Sequence, residues 1–139
     1  MTAGRKILLD TCAMLFIAGG ERLLPAAGAA IDEASGKSLL FLSPVSAWEI
    51  GLMMARGRLK SQLPAIDFFD AFVNQSKCAI CDITTAIFAN SSFLPEFKHR
   101  DPADCLLVTT ARTFDMTIVT RDRTILAYGA EGYVKSIAC

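Results

Sequence analysis

Short apolar runs alternate with helix-length segments along the whole chain, and this alternation constrains the fold more than any other feature. Residues 6–10 (KILLD) read as a buried strand that delivers Asp10 at its carboxyl end, and a helix starts at Thr11. A second helix is expected over residues 21–34, stopped by Gly36, followed by a strand at residues 39–42. Ser43-Pro44 pairs a capping side chain with a proline at the first helical position, so Glu49 falls in the first half of a helix that follows a strand. Residues 64–75 place Ile66, Phe69, Phe72 and Val73 on one helical face, and residues 78–83 read as a third strand. Thr84-Thr85 opens a helix through Phe93, which Pro95 ends, before a charged loop at residues 96–100. Asp101-Pro102 is a second capping signal and puts Asp104 in a helix's first turn. Residues 116–120 (MTIVT) form a strand ending at Arg121-Asp122, and a last strand is expected at residues 133–137.

Alternation without a repeat, linker or low-complexity tract predicts one α/β domain over residues 1–139, with a parallel sheet covered by helices on both faces. In such sheets ligands bind beyond the carboxyl ends of the strands. Asp10 and Asp122 end strands there, and Glu49 and Asp104 lie in the opening part of helices that begin at the same edge.

Four carboxylates gathered at one edge repel, each like pair at about 4 Å costing on the order of 1–4 kcal/mol. Bound protons or a cation must offset that, and all-oxygen ligands suit Mg²⁺ or Mn²⁺. A single histidine excludes a histidine-rich zinc hydrolase. Such an ion lowers the pKa of a bound water and stabilises the leaving oxygen of a phosphodiester. The chain has 14 basic and 14 acidic residues, so a polyanion must be held locally rather than by a global field. Lys98, His99, Arg100 and Arg121 are the candidate phosphate contacts.

Each of these residues also has a structural role available to it. Asp101 reads first as a helix cap, Asp104 as a residue favoured by the helix dipole, Glu49 as a solvated neighbour of Trp48, and Asp122 as a turn residue. His99 fits an exposed loop position, and Trp48, Phe68, Phe69 and Phe72 fit core or interface better than base-stacking platforms. Cys78 and Cys81 have redox or zinc spacing but no second pair, and five scattered cysteines without a leader predict reduced thiols in the cytoplasm. No apolar stretch reaches the roughly 18–20 residues that span a bilayer. The 53% hydrophobic content fits a well-buried sheet or a partner-binding surface.

The stretches LLDT (8–11), SAWEIGL (46–52), HRDPADCLLVTTA (99–111) and VTRD (119–122), in this order, resemble the PIN-domain toxins of the VapC type from bacterial type II toxin–antitoxin pairs. The resemblance implies a three-layer α/β/α sandwich, Mg²⁺ or Mn²⁺ dependence and endonucleolytic cleavage of RNA. Asp10, Glu49, Asp104 and Asp122 match the family's acidic quartet; Asp101 matches a further acid of the subgroup, and Thr11 and Ser46 lie inside the matching motifs. It also implies a homodimer neutralised by a small antitoxin whose tail crosses the active-site groove. Cys12, Met53, Ala103 and Cys105 depart from the subgroup's usual histidine, lysine, phenylalanine and arginine.

Three other readings fit less well. A haloacid-dehalogenase-like phosphotransferase needs an acid where Cys12 stands, and a receiver domain needs an acidic pair where Asp10 stands alone. A PIN-like protein that binds RNA or an antitoxin without cutting it would tolerate the lost basic side chains.

Overall fold

A computed structural model of the chain describes residues 4–98 and 101–139. The elements run β1 (Ile7–Leu9), α1 (Thr11–Ala18), α2 (Pro25–Gly36), β2 (Leu40–Leu42), α3 (Pro44–Ala55), α4 (Ala65–Ser76), β3 (Ala79–Ile80) and α5 (Thr85–Asn90). A 3₁₀ turn (Ser91–Phe93), α6 (Pro102–Phe114), β4 (Thr117–Thr120), α7 (Arg123–Ala130) and β5 (Lys135–Ala138) complete the order. The strands form one sheet in the order β3-β2-β1-β4-β5, and every pairing is parallel.

Side chains of a strand alternate between faces, so consecutive residues of β1 belong to different cores. Ile7 and Leu9 pack with α1, α2, α3 and α4 through Met14, Ala30, Ile50 and Phe69. Leu8 packs on the other side with α5, α6 and α7 through Ile87, Leu107, Val108 and Ile125. The result is the expected α/β/α sandwich. Because both faces are covered, β1 is a continuous apolar run and β4 (TIVT) is buried at every position rather than at alternate ones. Successive connections step from β1 to β2 to β3 in one direction, and β4 and β5 then lie on the other side of β1. The order therefore reverses between β1 and β4, and a crevice opens at such a reversal beyond the carboxyl ends of the strands.

Several local expectations shift. The second helix begins at Pro25 rather than at residue 21, because proline suits the first helical position and residues 21–24 remain extended. β3 is an edge strand of two residues, shorter than the apolar run 78–83, since β2 pairs with it only at Ala79 and Ile80. Ile66 is 60% exposed, so the α4 core face consists of Phe69 and Phe72 with Val73 packed against it. Trp48 is 49% exposed and is not core. α7 had no counterpart in the sequence reading, although Ile125 and Tyr128 bury at helical spacing behind an Asp122 cap. Cys78 packs into one core and Cys81 into the other, so the pair lies on opposite faces and cannot share a metal or a disulfide; all five cysteines are free. Among the described residues no helix is long and apolar enough to cross a membrane.

Candidate active site

Asp10 follows the last residue of β1 and caps α1, which places its carboxylate in the β1–β4 crevice. It is 5% exposed. Oδ1 accepts the Thr11 N–H at 2.7 Å, and Oδ2 accepts the Thr120 hydroxyl at 2.6 Å and the Cys12 thiol at 3.5 Å. Thr120 ends β4, and since its proton points to Asp10, its oxygen is free to accept the Asp122 N–H at 2.9 Å. Asp122 in turn caps α7, its Oδ1 accepting the Ile125 N–H at 2.9 Å. The bland and functional roles of Asp122 thus coexist in one residue.

Among the described residues the three donors to Asp10 are uncharged, and the charge acting on it is that of another acid. Burial raises its pKa above the ordinary 3.8; the bonds from Thr120, Thr11 and Cys12 oppose this, and the charge on Asp122 adds to it. Cys12 responds in the same sense. Burial first, and then the Asp10 charge, push its thiol up to about 12, so at neutral pH it is a weak donor and not a nucleophile.

A second polar group lies where α1 meets α3. The Thr11 hydroxyl donates to Glu49 Oε1 at 2.6 Å, which leaves its oxygen to accept from Ser46 Oγ at 2.9 Å. Ser46, Thr11 and Glu49 therefore form a directed chain ending on the carboxylate. Ser46 is fully buried and Thr11 nearly so, and the Ser43-Pro44 start of α3 fixes where both Ser46 and Glu49 project. Burial raises the Glu49 pKa; Thr11 opposes this, and Asp10 and Asp101 add to it.

Asp101 caps α6 as its sequence suggested, with Oδ1 accepting the Ala103 N–H at 2.9 Å and the Asp104 N–H at 3.4 Å. Asp104 occupies the first turn of α6 and is partly buried. α6 leads into β4, and so its N-terminus lies at the same edge as Asp10. Among the described residues, no three histidine, cysteine, aspartate or glutamate side chains are grouped closely enough to hold a metal ion.

The candidate phosphate contacts are placed unevenly. Arg121 stacks its guanidinium 3.6 Å from the centroid of the Phe16 ring and pairs with Glu21 at 3.8 Å. Lys98 lines a separate cavity of about 460 Å³ with Tyr128 and Tyr133. His99 and Arg100 lie outside the described residues. Three residues that the sequence reading did not single out belong to this region. Thr120 was visible as the hydroxyl just before Arg-Asp at a strand end. Arg56 and Arg58 flank Gly57 just beyond the helix that carries Glu49, and they line a cavity of about 400 Å³ that includes Glu49, Asp101 and two of the departing positions, Met53 and Ala103.

The chain is 27% identical over 123 residues to ribonuclease VapC22 of Mycobacterium tuberculosis (strain ATCC 25618 / H37Rv), covering 88% of this chain and 91% of that protein. Its fold is similar to that of VapBC2 from Rickettsia felis, solved bound to a promoter DNA fragment, with a TM-score of 0.69 at 13% identity over 95% of this chain and 97% of that one. DNA-bound VapBC from Salmonella typhimurium gives 0.69 at 15% identity over 96% and 98% of the two chains. FitAcB from Neisseria gonorrhoeae gives 0.60 at 19% identity over 94% and 96%. The PIN domain model matches residues 7–131, which hold four of the five strands and the acids at the sheet edge, and the chain belongs to the PIN domain family.

Proposed function

We propose that this chain is a metal-dependent endoribonuclease and the toxin of a toxin–antitoxin pair, with Asp10, Glu49, Asp104 and Asp122 as its acidic site. One observation carries the reading: Asp10 is a buried carboxylate at the β1–β4 reversal, held among the described residues by neutral donors and raised in pKa by burial and by a second acid. Among the described residues no positive charge acts on Asp10, and a hard divalent cation with oxygen ligands fits the donor set. Mg²⁺ commonly binds through one or two carboxylates while keeping several waters, so the lack of a preassembled group of three among the described residues is compatible with it.

When bound there, Mg²⁺ or Mn²⁺ supplies activation of water and neutralisation of phosphodiester charge. The chain's own part is orientation and proton control. Thr120 and Thr11 fix both oxygens of Asp10, and the Ser46–Thr11 chain fixes Glu49. Burial makes Glu49 hold its proton more tightly than an ordinary glutamate, the direction required of a group that exchanges protons near neutral pH. Likeness to the DNA-bound VapBC structures supports a protein partner; in this reading the partner is a small antitoxin and the chain is a homodimer that acts on RNA in the cytoplasm.

Cleavage of a structured RNA pool by antitoxin-free protein tests the reading, with Mg²⁺, Mn²⁺ or chelator and with Asp10→Asn. Metal-dependent cutting lost in the variant supports it; no cutting by folded protein with either metal refutes it. Binding without cutting is the second reading, and it is favoured by Cys12 and Met53 in place of basic side chains.

A further inference from the structure

The rim of the cavity beside Glu49 is built from side chains that the acidic site does not use. Trp48 lies next to Glu49 on α3 and lines this cavity together with Arg56, Arg58, Met53 and Pro102. Trp48 also lines a second, mostly apolar cavity of about 480 Å³ with Val45, Ile83, Phe88 and Leu106, so it borders both, as Pro102 does. A tryptophan that remains 49% exposed in this position offers an accessible aromatic surface beside a cavity lined by Glu49, Asp101, Arg56 and Arg58.

Arg56 is the C-cap of α3, and Gly57 follows at φ 70°, a left-handed conformation that turns the chain beyond the helix, and Arg58 lines the same cavity. Both arginines are exposed, and among the described residues neither side chain is held by a hydrogen bond or an ion pair. Arg121 differs, being engaged by Phe16 and Glu21. With 14 basic and 14 acidic residues, the chain has no net field to gather a polyanion, and a pair of free guanidinium groups beside the acidic site is where phosphates would be held. Guanidinium forks suit phosphate, and an aromatic face beside them suits an unstacked base, a combination that fits single-stranded RNA.

We propose that the groove formed by Trp48, Arg56 and Arg58 binds the single-stranded RNA flanking the scissile phosphate, with the arginines on phosphates and the Trp48 ring against a base. This rests on the ribonuclease reading for its biological sense, but binding and cutting are measured separately. The test is fluorescence anisotropy with a labelled mixed-sequence single-stranded RNA of about 12 nucleotides, in chelator and across a salt series. The variants are Arg56→Gln/Arg58→Gln, Arg56→Lys/Arg58→Lys, Trp48→Ala and Trp48→Phe, each checked for an unchanged thermal midpoint. The double glutamine variant is expected to bind about tenfold more weakly and to lose about 1.4 from the slope of log affinity against log salt, while the double lysine variant keeps the slope. Trp48→Ala is expected to lose at least about fivefold in affinity with the slope unchanged, and Trp48→Phe to keep part of it.

Wild-type affinity and slope in the double glutamine and Trp48→Ala variants would overturn the proposal, as would undetectable binding by the wild type. Retained RNA binding with loss of a labelled polyglutamate peptide would assign the groove to an acidic protein segment instead. A wild type that binds as described but never cuts would remove the ribonuclease reading and leave the groove standing. One that cuts while the variants bind normally would do the reverse.

Discussion

Replacing Thr120 by valine removes a hydroxyl that serves two partners and leaves the side-chain volume almost unchanged. The hydroxyl donates to Asp10 Oδ2 at 2.6 Å and accepts the Asp122 N–H at 2.9 Å, and Thr120 is fully buried. A bond to a charged group is worth about 1.5–3 kcal/mol and a buried orphaned donor costs about 1–3 kcal/mol, but Cys12 remains as a donor to Asp10, so a loss of about 2–4 kcal/mol at neutral pH is expected. The Thr120 bond lowers the Asp10 pKa against the effect of burial, and its removal raises that pKa further. The destabilisation is therefore largest where Asp10 is ionised and shrinks as the pH falls and Asp10 takes up its proton, leaving the orphaned Asp122 N–H as the residual. Urea unfolding of wild type, Thr120→Val and Thr120→Ser across this range measures it, with the serine variant keeping most of the stability. A valine variant within about 0.5 kcal/mol of wild type at neutral pH, or one with a pH-independent loss, would refute the two-partner role.

Asp10 has its pKa raised in the folded state, so its contribution to stability is complete below the ordinary 3.8 and is lost as pH rises through the folded value. In metal-free solution Asp10→Asn should lack that decline, and millimolar Mn²⁺ should stabilise the wild type but not the variant; identical pH profiles in urea unfolding would contradict this. Cys12, held protonated with its thiol pushed up to about 12, should react with iodoacetamide at pH 8 about a hundredfold or more slower than an ordinary thiol, and peptide mass spectrometry showing rapid labelling would count against that environment. A Cβ on Gly129 would lie 2.1 Å from Ser136 Oγ, where α7 meets β5, so Gly129→Ala should cost about 1–3 kcal/mol by calorimetry; a smaller cost in a Ser136→Gly background is expected, and equal costs would contradict the clash.

The layers and the site edge were legible because both depend on strong local signals. The apolar runs at residues 6–10 and 116–120 fix two central strands, and Ser43-Pro44 and Asp101-Pro102 start α3 and α6 where their caps are observed. Asp10 could be placed because a strand's carboxyl end is defined by the run itself. α7 was not legible, since eight residues with two buried side chains look like the loop that follows a strand until the Asp122 cap is known. The extent of β3 depends on where β2 pairs with it, and the exposure of Ile66 and Trp48 depends on which helix faces are covered by neighbours. Neither is encoded in local periodicity. Thr120 escaped notice because its role is a contact with Asp10, 110 positions away.

Equilibrium binding of Mn²⁺, read from the electron paramagnetic resonance signal of the free ion, tests most directly whether the acids at this sheet edge form a metal site. Wild-type protein should take up at least one ion per chain, and Asp10→Asn should take up none at the same concentrations. Equal binding by the two proteins, or none by folded wild type at millimolar Mn²⁺, would contradict an Asp10-centred metal site.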